Sequence, residues 1–264
     1  MTMNKHDLDR INSMTKYPSI STYHAIDPQN GNLLEDAVEF SGEVIVTEKI
    51  DGANARLIAF PNGGFMIASR TELLYAEGDI LANPVYQIVS TLEDWAYDLD
   101  LKNMIDDPTV IYMEVFGGTI GKHFNQYTTE RATDFRIFDI AEIPGKEFDS
   151  MLDWELDRIA SWRDNGGQKF LTEDQLVGRA ATGGLKAPLT PRLLRIDGSE
   201  LPRSVSDTAV WMKNNLDSTN VAIDERAGGS AEGMVFRSQD RSVIAKARFE
   251  DYNRTLRRRA QNGK

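Results

Sequence analysis

Seven short segments are rich in β-branched and aromatic residues or alternate apolar with polar positions, and such patterns predict strands. The predicted strands cover residues 43–50, 55–60, 64–69, 109–116, 134–140, 233–237 and 242–248. The second and third are separated by Pro61–Asn62–Gly63–Gly64, a turn-forming sequence that predicts a β-hairpin.

Helical periodicity is present in two segments between these strands. Apolar residues at helical spacing predict a helix from about 84 to 99. The sequence SMLDWELDRIASWR predicts a second, amphipathic helix, in which Leu152, Leu156 and Ile159 share one stripe.

Two further helices are indicated by capping residues. TEDQLVGRA opens with a capping box of Thr172 and Gln175, and SDTAVWMKNNL predicts a helix capped by Ser206 or Asp207. The region from about 150 to 230 is therefore expected to be a helical segment. The order of elements predicts an α+β fold of antiparallel strands with helices packed outside, not an alternating parallel-sheet fold.

Composition narrows the class of protein. The 264 residues are 41% hydrophobic and 27% charged, which is typical of a soluble globular chain. No apolar run is long enough to span a membrane, and the N-terminal sequence lacks the apolar core of a signal peptide. Without cysteine, disulfides and thiolate metal sites are excluded. We expect a cytoplasmic protein that does not bind membranes.

The net charge of −11 argues against a protein that coats nucleic acid non-specifically. The basic residues are nevertheless unevenly placed, because Arg254, Arg257, Arg258, Arg259 and Lys264 are close together near residue 264. This stretch is either a local contact for nucleic acid or a solvated terminal helix.

Lys49 lies in VTEKIDGANARL, between a strand and an Asp51–Gly52 turn. It is either a solvated surface charge or a nucleophile, and a nucleophilic lysine requires desolvation or nearby cations. VIAKAR supplies such cations, since Lys246 and Arg248 alternate along a strand and share one face.

Three segments combine acids with apolar strand residues. Glu114 lies within YMEVFGG, Phe138 and Asp139 are expected at a strand end in DFRIFDI, and Glu232 begins the strand in AEGMVF. A buried acid is unfavourable unless it is paired or binds a ligand or metal. Each acid is therefore either part of a structural ion pair or a functional group.

In chain order, Lys–x–Asp–Gly, Glu–x–Phe–Gly, Phe–Asp, Glu–Gly and Lys–x–Arg resemble the motifs of the covalent nucleotidyltransferase superfamily of ATP-dependent ligases and capping enzymes. The likeness is greatest to nick-sealing RNA ligases of the second bacteriophage type and the kinetoplastid editing ligases. It includes the lead-in KYPSISTYH and the strand ASRTELL, and runs from about residue 16 to 252. The resemblance implies a nucleotidyltransferase (ATP-grasp-like adenylation) domain with antiparallel sheets flanked by helices.

The resemblance implies an ATP-dependent RNA ligase with Lys49 as the nucleophile that becomes lysyl-AMP. AMP would then pass to a 5′-phosphate end, which is sealed to a 3′-OH. Lys246 and Arg248 would act in catalysis by binding the nucleotide phosphates. Glu232 would be the metal-associated carboxylate, for Mg²⁺ or Mn²⁺.

The remaining site residues are also implied by the family motifs. Glu48 would frame adenine mainly through its backbone, and Phe138 would stack on the base. Glu114 would hydrogen-bond the ribose, while Asn54 and Arg70 match positions near the nucleotide phosphate and the RNA end.

The sequence departs from the family pattern at three points. Aspartate occupies position 51, where the phage enzymes have histidine, and Arg248 replaces a more usual second lysine. In the motif containing Glu114, the phage ligase carries its glutamate after the glycine.

For the domain organisation, we expect one adenylyltransferase domain over 1–264, with no appended OB-fold or large C-terminal domain. The expected partner is RNA with 5′-phosphate and 3′-OH ends, as a nicked duplex, with a partner protein supplying further RNA binding. The alternatives are a DNA ligase or capping-type nucleotidyltransferase, or a non-catalytic nucleotide- or RNA-binding module.

Overall fold

A computed structural model of the chain describes residues 5–182 and 184–262, which divide into two compact units. Unit 1 comprises the described residues up to Ser19, together with Gly52–Phe124 and Arg131–Leu189. Unit 2 comprises Ile20–Asp51, Asn125–Glu130 and the described residues from Thr190 onward. Whether the two units act as one adenylyltransferase domain stays a prediction.

The strands, in chain order, are β1 (Ser21–Thr22), β2 (His24–Ile26), β3 (Leu33–Ala37), β4 (Glu43–Lys49), β5 (Ala53–Ala59), β6 (Phe65–Ser69), β7 (Leu73–Ala76), β8 (Asp79–Ile80), β9 (Thr109–Gly117), β10 (Thr133–Glu142), β11 (Lys169–Phe170), β12 (Arg192–Asp197), β13 (Gly233–Ser238) and β14 (Ile244–Arg248). The α-helices are α1 (Lys5–Thr15), α2 (Ile88–Tyr97), α3 (Leu101–Met104), α4 (Gly145–Met151), α5 (Leu156–Asp164), α6 (Glu173–Thr182), α7 (Val205–Asn215) and α8 (Phe249–Asn262). Short 3₁₀ helices cover Val85–Gln87, Phe124–Gln126 and Gly198–Glu200.

Unit 1 is built on a seven-stranded antiparallel sheet in the order β11-β10-β9-β5-β6-β7-β8. One face carries Leu57 and Met113 and packs with residues of α2. The other face carries Ile58 and Tyr112 and packs with residues of α1 and α5. Because both faces are covered, β9 is apolar at nearly every position, and Glu114 stands out as a half-buried acid.

Unit 2 contains a five-stranded sheet in the order β1-β14-β13-β4-β12, in which β1 runs parallel to β14 and the other pairs are antiparallel. Strands β2 and β3 form a separate hairpin. One face of the larger sheet carries Val46, Met234 and Phe236, which pack with residues of α7 and α8. Lys49, Lys246 and Arg248 lie on its opposite face.

The predicted strands are confirmed within two residues at each end, and the antiparallel α+β fold is confirmed. The predicted hairpin is also confirmed, since the Phe60 N–H donates to the Gly64 carbonyl at 2.9 Å. The capping box is present as predicted: Thr172 N–H donates to Gln175 Oε1 at 2.9 Å. Local patterns were sufficient here because each signal involves residues close in sequence.

Several helix predictions were wrong in detail. The segment 84–99 begins as a 3₁₀ turn, with Tyr86 and Gln87 both at positive φ, and becomes α-helical at Ile88. The cap of α7 is Ser204, whose Oγ accepts from Asp207 N–H at 3.0 Å, not Ser206 or Asp207. Within 150–230 the chain also forms β11 and β12.

The amphipathic helix predicted within 150–163 is interrupted. Helix α4 ends at Met151 and α5 begins at Leu156, with tight turns between them in which Asp153 N–H donates to the Ser150 carbonyl. Leu156 is 47% exposed, so the predicted apolar stripe does not continue through it.

In the described part of the chain, no helix combines the length and apolar character that a membrane crossing requires.

Candidate active site

The predicted site residues fall in both units, and the nucleophile candidate lies in unit 2. Strand β4 ends at Lys49, which pairs with Gly233 on β13, and Gly233 in turn pairs with Arg248 on β14. Directly opposed residues in antiparallel strands point to the same face. A Cβ on Gly233 would lie 2.0 Å from the Ala247 carbonyl oxygen, so only glycine fits in the middle of this row.

Lys246 belongs to the next row of the same face. It pairs with Val235, which pairs with Thr47 on β4. Since residues two apart on a strand share a face, Lys49, Lys246 and Arg248 all project from one side of the sheet. Two strands distant in sequence, β4 and β14, therefore carry the three predicted cations on one face, with β13 between them.

Glu232 contacts the nucleophile candidate directly. Lys49 Nζ donates a hydrogen bond to Glu232 Oε2, and both side chains are about three-quarters buried, at 24% and 22% exposure. Burial raises the pKa of the Glu232 carboxyl, and the Lys49 ammonium only partly offsets this effect. The nearby charge of Asp51 adds to the rise, while Arg248 opposes it.

Arg248 is held as a permanent cation. Its Nε donates to Asp251 Oδ2 at 2.8 Å, and the other oxygen of the buried Asp251 accepts from Arg254 at 2.7 Å. Burial lowers the pKa of the Arg248 guanidinium, but the hydrogen bond and charge of Asp251 outweigh burial and raise it overall. Arg248 is thus suited to binding a phosphate, not to donating a proton.

Glu48 points to the opposite face from Lys49, and its carboxylate is buried. Thr219 Oγ1 donates to Glu48 Oε1 at 2.5 Å, and Asn220 N–H donates to Oε2 at 2.8 Å. The Glu48 N–H donates to the Pro191 carbonyl at 3.1 Å. The side chain therefore anchors the segment that follows α7, and the adenine contact expected from its backbone stays a prediction.

In unit 1, Asn54 and Glu114 are directly opposed on β5 and β9. On the other side of Glu114 lies Arg136 of β10, so one row carries an amide, a carboxylate and a guanidinium. Arg136 donates to Asp134 at 2.5 Å and lies 5.4 Å from the centroid of the Phe116 ring. Arg136 lies on the strand predicted from DFRIFDI, but nothing in that motif marks it as a candidate site residue.

Phe138 lies at a β-bulge inside β10, between the paired residues Ile137 and Asp139. Its ring packs edge-on against Tyr17, with centroids 5.1 Å apart, and Tyr17 Oη donates to Asp139 Oδ2 at 3.0 Å. The prediction that Phe138 and Asp139 lie at a strand end was wrong, because β10 continues to Glu142. A β-bulge changes the direction of a side chain while the strand continues, and the local sequence did not predict this one.

Arg70 is exposed in the turn between β6 and β7. The backbone of this turn is held by Arg56, which donates to the Ser69 carbonyl at 2.8 Å and to the Arg70 carbonyl at 3.2 Å. The Arg56 side chain is completely buried, and burial lowers its pKa to about 10. The role of Arg56 could not be predicted, since nothing in the local sequence distinguishes it from a surface arginine on an alternating strand.

Metal binding was predicted at Glu232. Across residues 5–182 and 184–262, no group of three or more histidine and carboxylate side chains is arranged to hold a metal ion. A single carboxylate nevertheless fits Mg²⁺ or Mn²⁺ in a nucleotide site, because Mg²⁺ usually takes most of its ligands from phosphates and water.

The basic stretch near the end of the chain forms part of α8 and binds the β2–β3 hairpin. Arg254 donates to the Gly31 carbonyl at 2.7 Å, Arg258 donates to the Asn30 carbonyl at 2.6 Å, and Arg259 donates to the Leu33 carbonyl at 2.9 Å. Lys264 lies outside the described residues. Three of the four arginines thus have a structural role, while contact with nucleic acid stays a prediction.

Removing residues 253–264 is expected to lower the thermal unfolding temperature by roughly 5 °C or more, since each lost hydrogen bond contributes about 1 kcal/mol. The truncation also deletes buried Thr255, whose Oγ1 accepts from Leu33 N–H at 2.9 Å. Arg257→Ala is the matched control, because Arg257 is exposed and its Nε donates within α8 to Asn253. Equal melting of the truncated and full-length chains would contradict this role.

The fold of this chain is similar to that of solved RNA ligase structures. The chain resembles Naegleria gruberi RNA ligase solved with pyrophosphate (TM-score 0.52, 13% identity, 92% of this chain and 64% of that chain). Variants of that ligase are similar: one with ATP and Mn has a TM-score of 0.52 at 13% identity, covering 92% of this chain and 62% of that one. Another variant, solved with AMP and Mn, has a TM-score of 0.51 at 13% identity, and the match covers 89% of this chain and 60% of that one.

This chain therefore spans about three-fifths of the length of those structures, and at such low identity the likeness concerns the fold. No curated protein sequence matches the chain significantly. The family model for RNA ligase, however, matches residues 42–249, a span that contains Lys49, Glu232, Lys246 and Arg248. A match over most of the chain shows that this protein belongs to the RNA ligase family.

Proposed function

We propose that this protein is an ATP-dependent RNA ligase that forms lysyl-AMP on Lys49, transfers AMP to a 5′-phosphate end and seals that end to a 3′-OH. The observation that carries the proposal is the hydrogen bond from Lys49 Nζ to Glu232, with Lys246 and Arg248 on the same face of the sheet. Family membership supports the same reaction class.

In the first step, the Lys49 amine attacks the α-phosphate of ATP. A nitrogen–phosphorus bond forms, the bond to the bridging oxygen breaks, and pyrophosphate leaves with the bonding electrons. The amine must lose a proton, and Glu232 is placed to accept it because it already accepts a hydrogen bond from Lys49 Nζ. Its raised pKa makes this carboxylate a stronger base than an exposed glutamate.

Negative charge on the phosphate oxygens requires cations that are in place before the reaction. Lys246 and Arg248 supply them, and Asp251 keeps the Arg248 side chain oriented. Glu232 would also hold Mg²⁺ or Mn²⁺ together with phosphate oxygens and water. When bound, such an ion neutralises part of the phosphate charge.

The unit 1 residues are proposed to bind the nucleoside and the RNA end. Phe138 would stack on adenine, and Glu114 would accept a hydrogen bond from the ribose, with Asn54 beside it in the same row. Arg70 would contact the RNA end from the turn that Arg56 holds.

Phe138→Ala is expected to weaken ATP binding by about 5- to 150-fold, since stacking of a base on an aromatic ring is worth about 1–3 kcal/mol. Phe138→Tyr and Phe138→Trp retain a flat ring and should bind ATP within a few-fold of wild type. ATP titration of each variant is the measurement. Phe60→Ala, which removes another partly buried aromatic from the same cluster, is the matched control for lost packing. Equal weakening by all three Phe138 variants would indicate a packing role instead.

The proposed substrate is a nicked RNA duplex. Since the chain carries a net charge of −11, we propose that a partner protein supplies part of the RNA binding. Two alternatives remain distinguishable by experiment: a DNA ligase or capping-type nucleotidyltransferase, and a non-catalytic binding module.

The test has two parts. Incubation with α-labelled ATP and Mg²⁺ or Mn²⁺ should label the protein covalently, and absence of label under both metals would favour the non-catalytic module. Sealing assays on RNA, DNA and mixed nicks should show the highest rate with RNA. A preference for all-DNA nicks, or transfer of a nucleotide to RNA ends without sealing, would overturn the RNA ligase proposal.

A further inference from the structure

Tyr127 is a buried residue of unit 2 that sequence analysis assigned no role. Its side chain is 1% exposed, and its hydroxyl oxygen accepts a hydrogen bond from Asp51 N–H at 2.7 Å. Burial raises the pKa of the phenol; the hydrogen bond from Asp51 N–H opposes this, while the charges of Asp51, Glu48 and Glu232 add to the rise, so the hydroxyl stays neutral. The group is therefore a fixed neutral acceptor among carboxylates.

The bond from Asp51 lies immediately beyond the nucleophile. Strand β4 ends at Lys49 and β5 begins at Ala53, so Asp51 is the middle residue of a three-residue connection. Its N–H is outside the sheet ladder, and the Tyr127 hydroxyl supplies an acceptor for it. This connection continues directly from Lys49, the last residue of β4.

The backbone at Gln126 and Tyr127 contacts the segment that precedes Glu232. The Tyr127 carbonyl accepts from Ile223 N–H at 2.7 Å, and the neighbouring Gln126 carbonyl accepts from Gly229 N–H at 3.1 Å. Both donors belong to the segment that leads directly into Glu232. Gln126 and Tyr127 together thus contact the connection that follows Lys49 and the segment that precedes Glu232.

We propose that Tyr127 is a positioning residue, which aligns the Lys49 amine with the Glu232 carboxylate by holding the connection at Asp51. The proposal rests on the proposed ligase function. Tyr127 acts through Lys49, so it should affect formation of lysyl-AMP and not the sealing of an end that already carries AMP. This separation distinguishes positioning from a general contribution to folding.

Tyr127→Phe is the direct test, with single-turnover labelling by α-labelled ATP over a range of ATP concentrations. We expect the maximal labelling rate to fall about 10- to 100-fold, because small displacements of a reacting group have effects of this size. The ATP concentration at half-maximal rate should change by less than about two-fold, and so should the sealing of pre-adenylylated nicked RNA. Incorporation of 3-fluorotyrosine at position 127 retains the acceptor oxygen and should restore the wild-type rate.

Tyr23→Phe is the matched control. Tyr23 is equally buried in unit 2, and its hydroxyl donates to the Pro202 carbonyl at 2.9 Å, so the variant also loses one buried hydrogen bond. The Tyr23→Phe variant should have labelling and sealing rates within about two-fold of those of wild type. All rates are compared at a temperature at which circular dichroism shows each variant to be folded.

Covalent labelling of the wild-type protein tests the ligase function. The ratio of the labelling rates of Tyr127→Phe and wild type tests the positioning role of Tyr127. Equal labelling rates for Tyr127→Phe and wild type would overturn the positioning role. A proportional loss of labelling, ATP affinity and sealing would overturn it as well, since that pattern indicates a purely structural residue.

Discussion

Lys49→Ala is expected to abolish covalent labelling by α-labelled ATP, because the variant lacks the amine that forms the bond to phosphorus. The loss should exceed 1000-fold in rate, because the Lys49 amine that contacts Glu232 is the proposed nucleophile. Labelled protein separated on a denaturing gel gives the measurement directly. Sealing of pre-adenylylated RNA needs no lysine nucleophile, so this activity should remain measurable in the same variant.

Two further variants make the Lys49 test specific. Lys49→Arg retains the positive charge and should also fail to label, because a guanidinium stays protonated and is a poor nucleophile. Lys213→Ala removes an exposed lysine near the end of α7 and should label at the wild-type rate. Normal labelling of Lys49→Ala would show that the nucleophile has been assigned to the wrong residue.

Glu232→Gln is expected to reduce lysyl-AMP formation by at least about 100-fold, the usual contribution of a positioned acid or base. The amide can still accept a hydrogen bond from Lys49, but it cannot take up the proton or bind a metal as a carboxylate does. Single-turnover labelling measures this effect. Glu43→Gln is the control: Glu43 lies on the same strand as Lys49 and forms a half-exposed ion pair with Arg195 of β12. This variant should change the labelling rate little.

The same variant should not lower the stability of the fold. The folded-state pKa of Glu232 is raised above its ordinary value, so this group favours folding at low pH. That contribution is lost as the pH rises through the folded-state pKa, and at pH 7 the ionised group disfavours folding. Glu232→Gln should therefore melt at or above the wild-type temperature at pH 7, with the difference shrinking in acid.

Loss of activity together with a clearly lower melting temperature would contradict this account of Glu232. It would show that the ion pair with Lys49 outweighs the effect of burial, and that the lost activity reflects unfolding. An unchanged labelling rate would remove Glu232 from the reaction. The two measurements together separate a functional carboxylate from a structural one.

The strands, the hairpin at Pro61–Gly64, the capping box at Thr172 and the order of the motifs could all be predicted from the amino-acid sequence. These features depend on alternation, turn residues and capping residues that lie a few positions apart, so their physical causes are local. Even the shared face of Lys246 and Arg248 followed from their spacing along one strand. The prediction failed where a local pattern was ambiguous, as in the cap of α7, which Ser204 provides.

Which of these residues contact one another depends on the folded chain as a whole. The hydrogen bond between Lys49 and Glu232 joins residues 183 positions apart, and it exists because β13 pairs with both β4 and β14. The bulge at Phe138, the buried hydroxyl of Tyr127 and the binding of the α8 arginines to a hairpin likewise depend on partners far along the chain. No local signal encodes such contacts, because their free energy comes from packing and pairing that exist only once the sheet has formed.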